Sequence, residues 1–146
     1  VKGQKGVLSV EKKLFVETNN GTNRQIRPVT PEQPLRIGDK VIVRLTIRTD
    51  REMNYVFLKD LRAGCFEPAD QLSGPESRDG IWYYRSPKDV SENFFINRLP
   101  EGTFVLEYPV YVSRSGEYAG GISTIQCMYA PEFVSHTAGE SLRIMP

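Results

Sequence analysis

Apolar and polar positions alternate along most of this chain with a period of two. Val41, Val43, Leu45 and Ile47 fall on odd positions, against Arg44, Thr46 and Arg48 on even ones, the signature of a half-buried strand. From Thr103 to Ser113 the apolar set Phe104, Leu106, Tyr108, Val110 and Val112 is even, with Glu107, Pro109 and Ser113 opposite. Pro109 cannot donate to a ladder and points to an edge or a bulge there. Leu8, Val10, Leu14 and Val16 share one parity, broken by Lys12, and Val90, Phe94 and Ile96 do the same. Further strands are expected over Met53 to Leu61, Ile81 to Arg85, Ile122 to Tyr129 and Ser141 to Met145.

That makes about eight strands. Turn signals separate them at Asn20-Gly21, Ile37-Gly38-Asp39, Ser73-Gly74-Pro75, Asp79-Gly80, Leu99-Pro100-Glu101-Gly102, Ser115-Gly116 and Gly120-Gly121, where Gly or Pro supplies the backbone angles tight turns need. No window carries a 3.6-residue apolar period. The pattern predicts an all-β, antiparallel two-sheet sandwich rather than a barrel. Residues 24 to 36 contain Pro28, Pro31 and Pro34, so this run is expected to cross extended between sheets and resist regular pairing. A domain boundary there would leave too little apolar surface before it to form a core, so residues 1–146 are read as one domain.

Composition narrows the function. With 19 Lys+Arg against 18 Asp+Glu the formal charge is +1, which argues against a dedicated nucleic-acid binder. The hydrophobic content of 39% is that of a folded chain. The longest apolar runs are a few residues, far short of the ~20 a membrane-spanning helix needs. The start at Val1-Lys2-Gly3-Gln4 shows no Met and no signal region, so the chain reads as a fragment or processed form.

Catalytic signals are sparse. His136 is the single histidine, in a stretch expected to be a loop, and it reads as a solvated surface group. No C-x-x-C, second histidine or calcium-loop pattern accompanies it, and no cofactor is indicated. Cys65 and Cys127 read as structural thiols, with one bridge between them as the alternative. Gly116 to Gly121 reads as a hairpin loop, not a phosphate cradle. Asn20-Gly21-Thr22 matches a glycosylation sequon, but Asn-Gly is first a hairpin signal. Trp82-Tyr83-Tyr84 would put Trp82 and Tyr84 on one face of a strand; core packing is the first reading, a platform for a sugar ring or a partner side chain the second.

The segment Gly121-Ile122-Ser123-Thr124-Ile125-Gln126-Cys127-Met128-Tyr129-Ala130-Pro131-Glu132-Phe133 resembles the closing region of bacterial alpha-2-macroglobulin-like proteins, specifically their last macroglobulin-like domain in the Bacteroides-type branch. The likeness runs in order through Gly38-Asp39-Lys40-Val41-Ile42-Val43, Thr49-Asp50-Arg51, Leu58-Lys59-Asp60, Phe66-Glu67-Pro68, Asn93-Phe94-Phe95 and Leu99-Pro100-Glu101-Gly102-Thr103-Phe104. The resemblance implies a fibronectin- or macroglobulin-like sandwich closing a larger cell-envelope protein, periplasmic or surface-exposed. Such proteins trap attacking proteases after a bait region is cut, and in many members a thioester then captures the protease. Neither the C-x-E-Q motif nor an evident bait region is in this chain, and some members of that branch lack the thioester altogether.

The implied role is non-catalytic: packing against a neighbouring thioester-type helical domain and keeping the uncleaved form closed. The expected partners are neighbouring domains of the same parent chain and, through the parent, a host or competitor protease. Interdomain contacts of this kind bury roughly 600–1,500 Å². Contact residues are expected among Trp82, Tyr84, Tyr118, Tyr129 and Phe133, and candidate contact loops are Ser73 to Gly80 and Arg114 to Gly121, the latter holding Tyr118. Tyr118 reads equally as packed on its own hairpin, and Met128 to Pro131 as core strand plus exit turn. A carbohydrate- or protein-binding module of a cell-surface protein is the alternative, since fold does not fix function.

Overall fold

The computed structural model describes residues 7–20, 23–30, 32–69, 74–78, 81–88, 90–137 and 141–146. Among them no helix occurs. The strands are β1 Leu8–Asn20, β2 Asn23–Pro28, β3 Leu35–Arg36, β4 Lys40–Thr49, β5 Met53–Leu61, β6 Phe66–Pro68, β7 Gly74–Arg78, β8 Ile81–Pro87, β9 Ser91–Leu99, β10 Gly102–Val112, β11 Gly116–Ala119, β12 Ser123–Cys127, β13 Ala130–His136 and β14 Ser141–Met145. A five-stranded sheet in the order β2-β1-β4-β10-β6 and a six-stranded sheet in the order β13-β12-β5-β9-β8-β7 form the layers, and β11-β14-β3 makes a small third sheet. The predicted antiparallel sandwich is the observed fold. One pairing is parallel, β14 with β3.

The excess over eight strands comes from segments whose sequence carries turn chemistry. Residues 24 to 36 were expected to resist pairing, yet the first part of that run lies in β2, which pairs with β1 from Asn20↔Asn23 to Phe15↔Pro28. The Asn20-Gly21 turn signal falls at the junction of β1 and β2, but residues 21 and 22 lie outside the described residues. The expected loop at Arg114 to Gly121 contains β11, and that at Ser73 to Gly80 contains β7. His136 ends β13 instead of lying in a loop. In each case a neighbouring strand supplies ladder partners that local composition does not reveal.

The two inner faces follow the predicted parity. Val41, Val43, Leu45 and Ile47 of β4 are buried, as are Leu106, Tyr108, Val110 and Val112 of β10. They meet Val56 and Leu58 of β5, Phe94 and Ile96 of β9, Ile81 and Tyr83 of β8, and Ile125 of β12, with Tyr83 edge-on to Phe94 at 5.7 Å. Burying each such side chain contributes roughly 1.5–3 kcal/mol. Pro109 lies opposite Ile42 inside the sheet, not at an edge. Its carbonyl accepts from Ala69 N–H at 3.4 Å, so its missing donor faces the short β6 side and the long β4 ladder is intact. Gly38, at the predicted turn, has φ +93°.

The sandwich is bolted by charge at one end. Lys12, which breaks the apolar parity of β1, sends Nζ across the interface to Asp60 Oδ1 at 2.7 Å and to the carbonyls of Leu61 and Gly121, each at 3.2 Å. Asp60 is fully buried and also accepts from Ser123 Oγ at 2.6 Å and from the Tyr108 hydroxyl. Beside it, buried Glu92 accepts from Arg85 Nε at 2.9 Å and from Arg62 at 3.1 Å. Buried charges persist only when paired and hydrogen-bonded; the contacts to Asp60 tie β1 and β10 of one sheet to β5 and β12 of the other, and the Arg85–Glu92 pair joins β8 to β9. Burial raises the Glu92 carboxyl above its ordinary value, against the pull of Arg85 and Arg62.

Candidate interaction face

The outer faces of the two large sheets differ in chemistry. On the five-stranded sheet the exterior carries paired charges: Arg44 Nε lies 2.6 Å from Glu107 with its guanidinium over the Phe15 ring, and Lys40 pairs with Glu17 at 3.6 Å. On the six-stranded sheet the register aligns Tyr84 of β8 with Phe95 of β9, Phe95 with Phe57 of β5, Phe57 with Gln126 of β12, and Gln126 with Val134 of β13. Phe57 and Phe95 stack at 4.8 Å. Tyr84, Phe95 and Val134 are exposed. The row is apolar over three adjacent strands, Tyr84, Phe95 and Phe57, and Gln126 separates these from Val134; a run of outward-facing rings of this kind marks an interaction surface.

Two residues along β8 from Tyr84, Trp82 is 69% exposed. The core reading of Trp82 and Tyr84 is therefore corrected: inward positions of β8 go to Ile81, Tyr83 and Arg85, and the alternate parity faces out. Phe57 and Phe95 were missed by pattern reading. Tyr55-Val56-Phe57-Leu58 and Asn93-Phe94-Phe95 did hold the signal, because adjacent apolar residues in a strand cannot both point into one core.

A second exposed aromatic group caps the same sheet at the β12–β13 turn. Met128 and Tyr129 form that turn, and Tyr129 is 80% exposed, where Met128 to Pro131 was expected to be core strand plus exit turn. Between Gln126 and Cys127 the β12–β13 register shifts, a local irregularity of the ladder next to the turn. Tyr129 meets Tyr55 edge-on at 5.0 Å, and the Tyr55 carbonyl accepts from Met128 N–H at 2.8 Å. Tyr55 has φ +59°, a left-handed conformation that is an outlier for a bulky residue and costs about 1–3 kcal/mol.

The other residues singled out from sequence lie elsewhere. Phe133 is half-buried against the core rim, with the Arg51 guanidinium 5.3 Å from its ring. Tyr118 packs back on its own segment: its ring lies against Gly64 and Gly116, and its hydroxyl donates to the Ser115 carbonyl at 3.0 Å. His136 is exposed, its Nδ1 3.3 Å from Thr124 Oγ1. Cys65 and Cys127 are both buried and free, not bridged. Burial pushes the Cys65 thiol up, which removes thiolate reactivity. No group of residues able to hold a metal is found among the described residues, and no helix there is long and apolar enough to cross a membrane.

These features define a β-sandwich module whose conspicuous surface chemistry is aromatic contact. Residues 8–132 match the family model of the bacterial alpha-2-macroglobulin MG10 domain, and the chain belongs to that family. Its backbone is similar to Escherichia coli alpha-2-macroglobulin activated by porcine elastase, with TM-score 0.74 and 18% identity over 97% of this chain and 13% of that one. It is also similar to a Salmonella alpha-2-macroglobulin variant, with TM-score 0.72 and 21% identity over 97% of this chain and 9% of the other. A curated relative, circularly permutated Ras protein 2 of Dictyostelium discoideum, is 28% identical over 75% of this chain. The chain spans only 3% of that protein's length.

Proposed function

We propose that this domain is a non-catalytic part of a protease-trapping macroglobulin of the cell envelope, and that it holds the uncleaved conformation by packing against the neighbouring thioester-type helical domain of its parent chain. The observation that carries the reading is the Tyr129–Tyr55 tip. A tyrosine 80% exposed on the β12–β13 turn, braced by a second in a strained conformation, is an arrangement a free-standing sandwich gains nothing from. A partner surface that buries the tip repays the strain. On the other outer face charges pair with one another, Arg44 with Glu107 and Lys40 with Glu17.

A protease reaches the domain only through the parent protein, in a periplasmic or surface setting. The aromatic tip suits a contact that must release: two rings and Met128 bury a small apolar area with no buried charge. Hydrogen exchange tests this. In the parent protein, amides of residues 53–57 and 127–134 should exchange more slowly than in the isolated 146-residue chain, and Tyr129→Ala should remove that difference while leaving the isolated chain's stability within about 0.5 kcal/mol. Equal exchange in both contexts would sink the proposal.

A further inference from the structure

We infer that the cleft between β8 and β9 is a binding site for a neutral oligosaccharide, distinct from the Tyr129 tip. The cleft has a volume of about 420 Å³ and is lined by Trp82, Tyr84, Phe95, Asn97, Arg98 and Pro100, together with flanks of Ile81 and Tyr83. That volume falls in the range of small-molecule sites, roughly 300–1,000 Å³. In the sheet order β13-β12-β5-β9-β8-β7, the cleft and the β12–β13 turn lie at opposite sides, so one can be occupied without the other.

The chemistry of the lining selects the ligand. Trp82, Tyr84 and Phe95 offer exposed ring surface, which stacks on the flat C–H face of a pyranose and excludes water from it. Asn97 is exposed beside them, and its amide carries both donors and an acceptor, the complement of a sugar hydroxyl. Among the described residues that line the cleft Arg98 is the charged one, and it is already held by Glu52 through two contacts of 3.2 and 3.3 Å. Its charge is thereby neutralised, which disfavours a phosphate or carboxylate ligand. The ion pair still offers spare N–H donors and carboxylate lone pairs to neutral hydroxyls. An apolar floor with a rim of amide and neutralised ion pair matches a molecule whose surface alternates C–H faces with hydroxyls.

Trp82 is the chain's single tryptophan, so its emission reports this cleft alone. Titration of the chain with β-1,4-linked glucose and N-acetylglucosamine hexaoses should give a saturable change in that emission with at least one of them. By calorimetry, Trp82→Ala and Asn97→Ala should each weaken binding about tenfold or more, and Trp82→Phe, which keeps a ring, should retain most of it. Both side chains are exposed, and far-UV circular dichroism checks that the variants fold. Saturation with neither sugar, or affinity unchanged in both alanine variants, would overturn the inference. So would saturation by a proline-rich peptide with no response to either sugar.

Discussion

Replacing Lys12 by Met removes the cation that reaches Asp60 across the sandwich and keeps a side chain of similar length. Asp60 is fully buried and Lys12's side chain 13% exposed, so neither charge is screened as a surface pair would be. The variant leaves a buried carboxylate with hydroxyl donors only, Ser123 and Tyr108, and frees the Leu61 and Gly121 carbonyls that Nζ bridged. Breaking a buried pair from one side costs about 3–5 kcal/mol; the two remaining donors to Asp60 place this case near 3. With a urea slope of about 2 kcal/mol/M, the midpoint should fall by ~1.5 M. Adding Asp60→Asn removes the stranded charge while keeping an acceptor oxygen for one of the two hydroxyls, its NH2 group donating to the oxygen of the other, and should restore about 1–3 kcal/mol. The assay is urea unfolding followed by far-UV circular dichroism on wild type, both single variants and the double. A midpoint shift under about 0.5 M for Lys12→Met, or no recovery in the double variant, would refute the view that this pair locks the layers.

Gly121→Ala should destabilise by about 3 kcal/mol or more, read as a thermal midpoint, because its added carbon would sit 1.6 Å from the Leu61 carbonyl oxygen. Gly38→Ala, with φ +93° but open space around it, should cost only about 1 kcal/mol. Tyr108 should resist ionisation: burial first, then the Asp60 charge and hydrogen bond, raise its hydroxyl well above the ordinary value. The unfolded chain loses that proton near pH ~10 while the folded chain keeps it, so this contribution to stability is full below that pH and is lost as pH rises further. Tyrosinate absorbance should show a late step, coincident with unfolding, that Tyr108→Phe removes; titration of all 7 tyrosines in the still-folded protein would contradict it.

What was legible in the sequence was whatever depends on residues two apart. The parity of Val41 to Ile47 and of Phe104 to Val112 names the buried rows because a pleated strand turns alternate side chains to opposite faces wherever it is placed. The turn at Gly38 was equally local, since only backbone freedom decides it. Pairing of residues 23–28, β7 and β11 was not legible, because a strand rich in Pro, Gly and charge is stabilised by its neighbour and not by its own propensity.

The sequence by itself determined that alternating segments must close into two layers and that Trp82 and Tyr84 share a face. Only the tertiary structure decided which face. Ile81, Tyr83 and Arg85 point inward because Phe94, Tyr108 and Glu92 wait there, and that leaves Trp82 outside. In the same way, Lys12 looks like an error in the pattern of β1 until Asp60, 48 residues away, is brought to 2.7 Å. Local periodicity reports a strand's two faces as equivalent alternatives; the choice between them is made by long-range contacts, since burying an unpaired charge costs far more than exposing a ring.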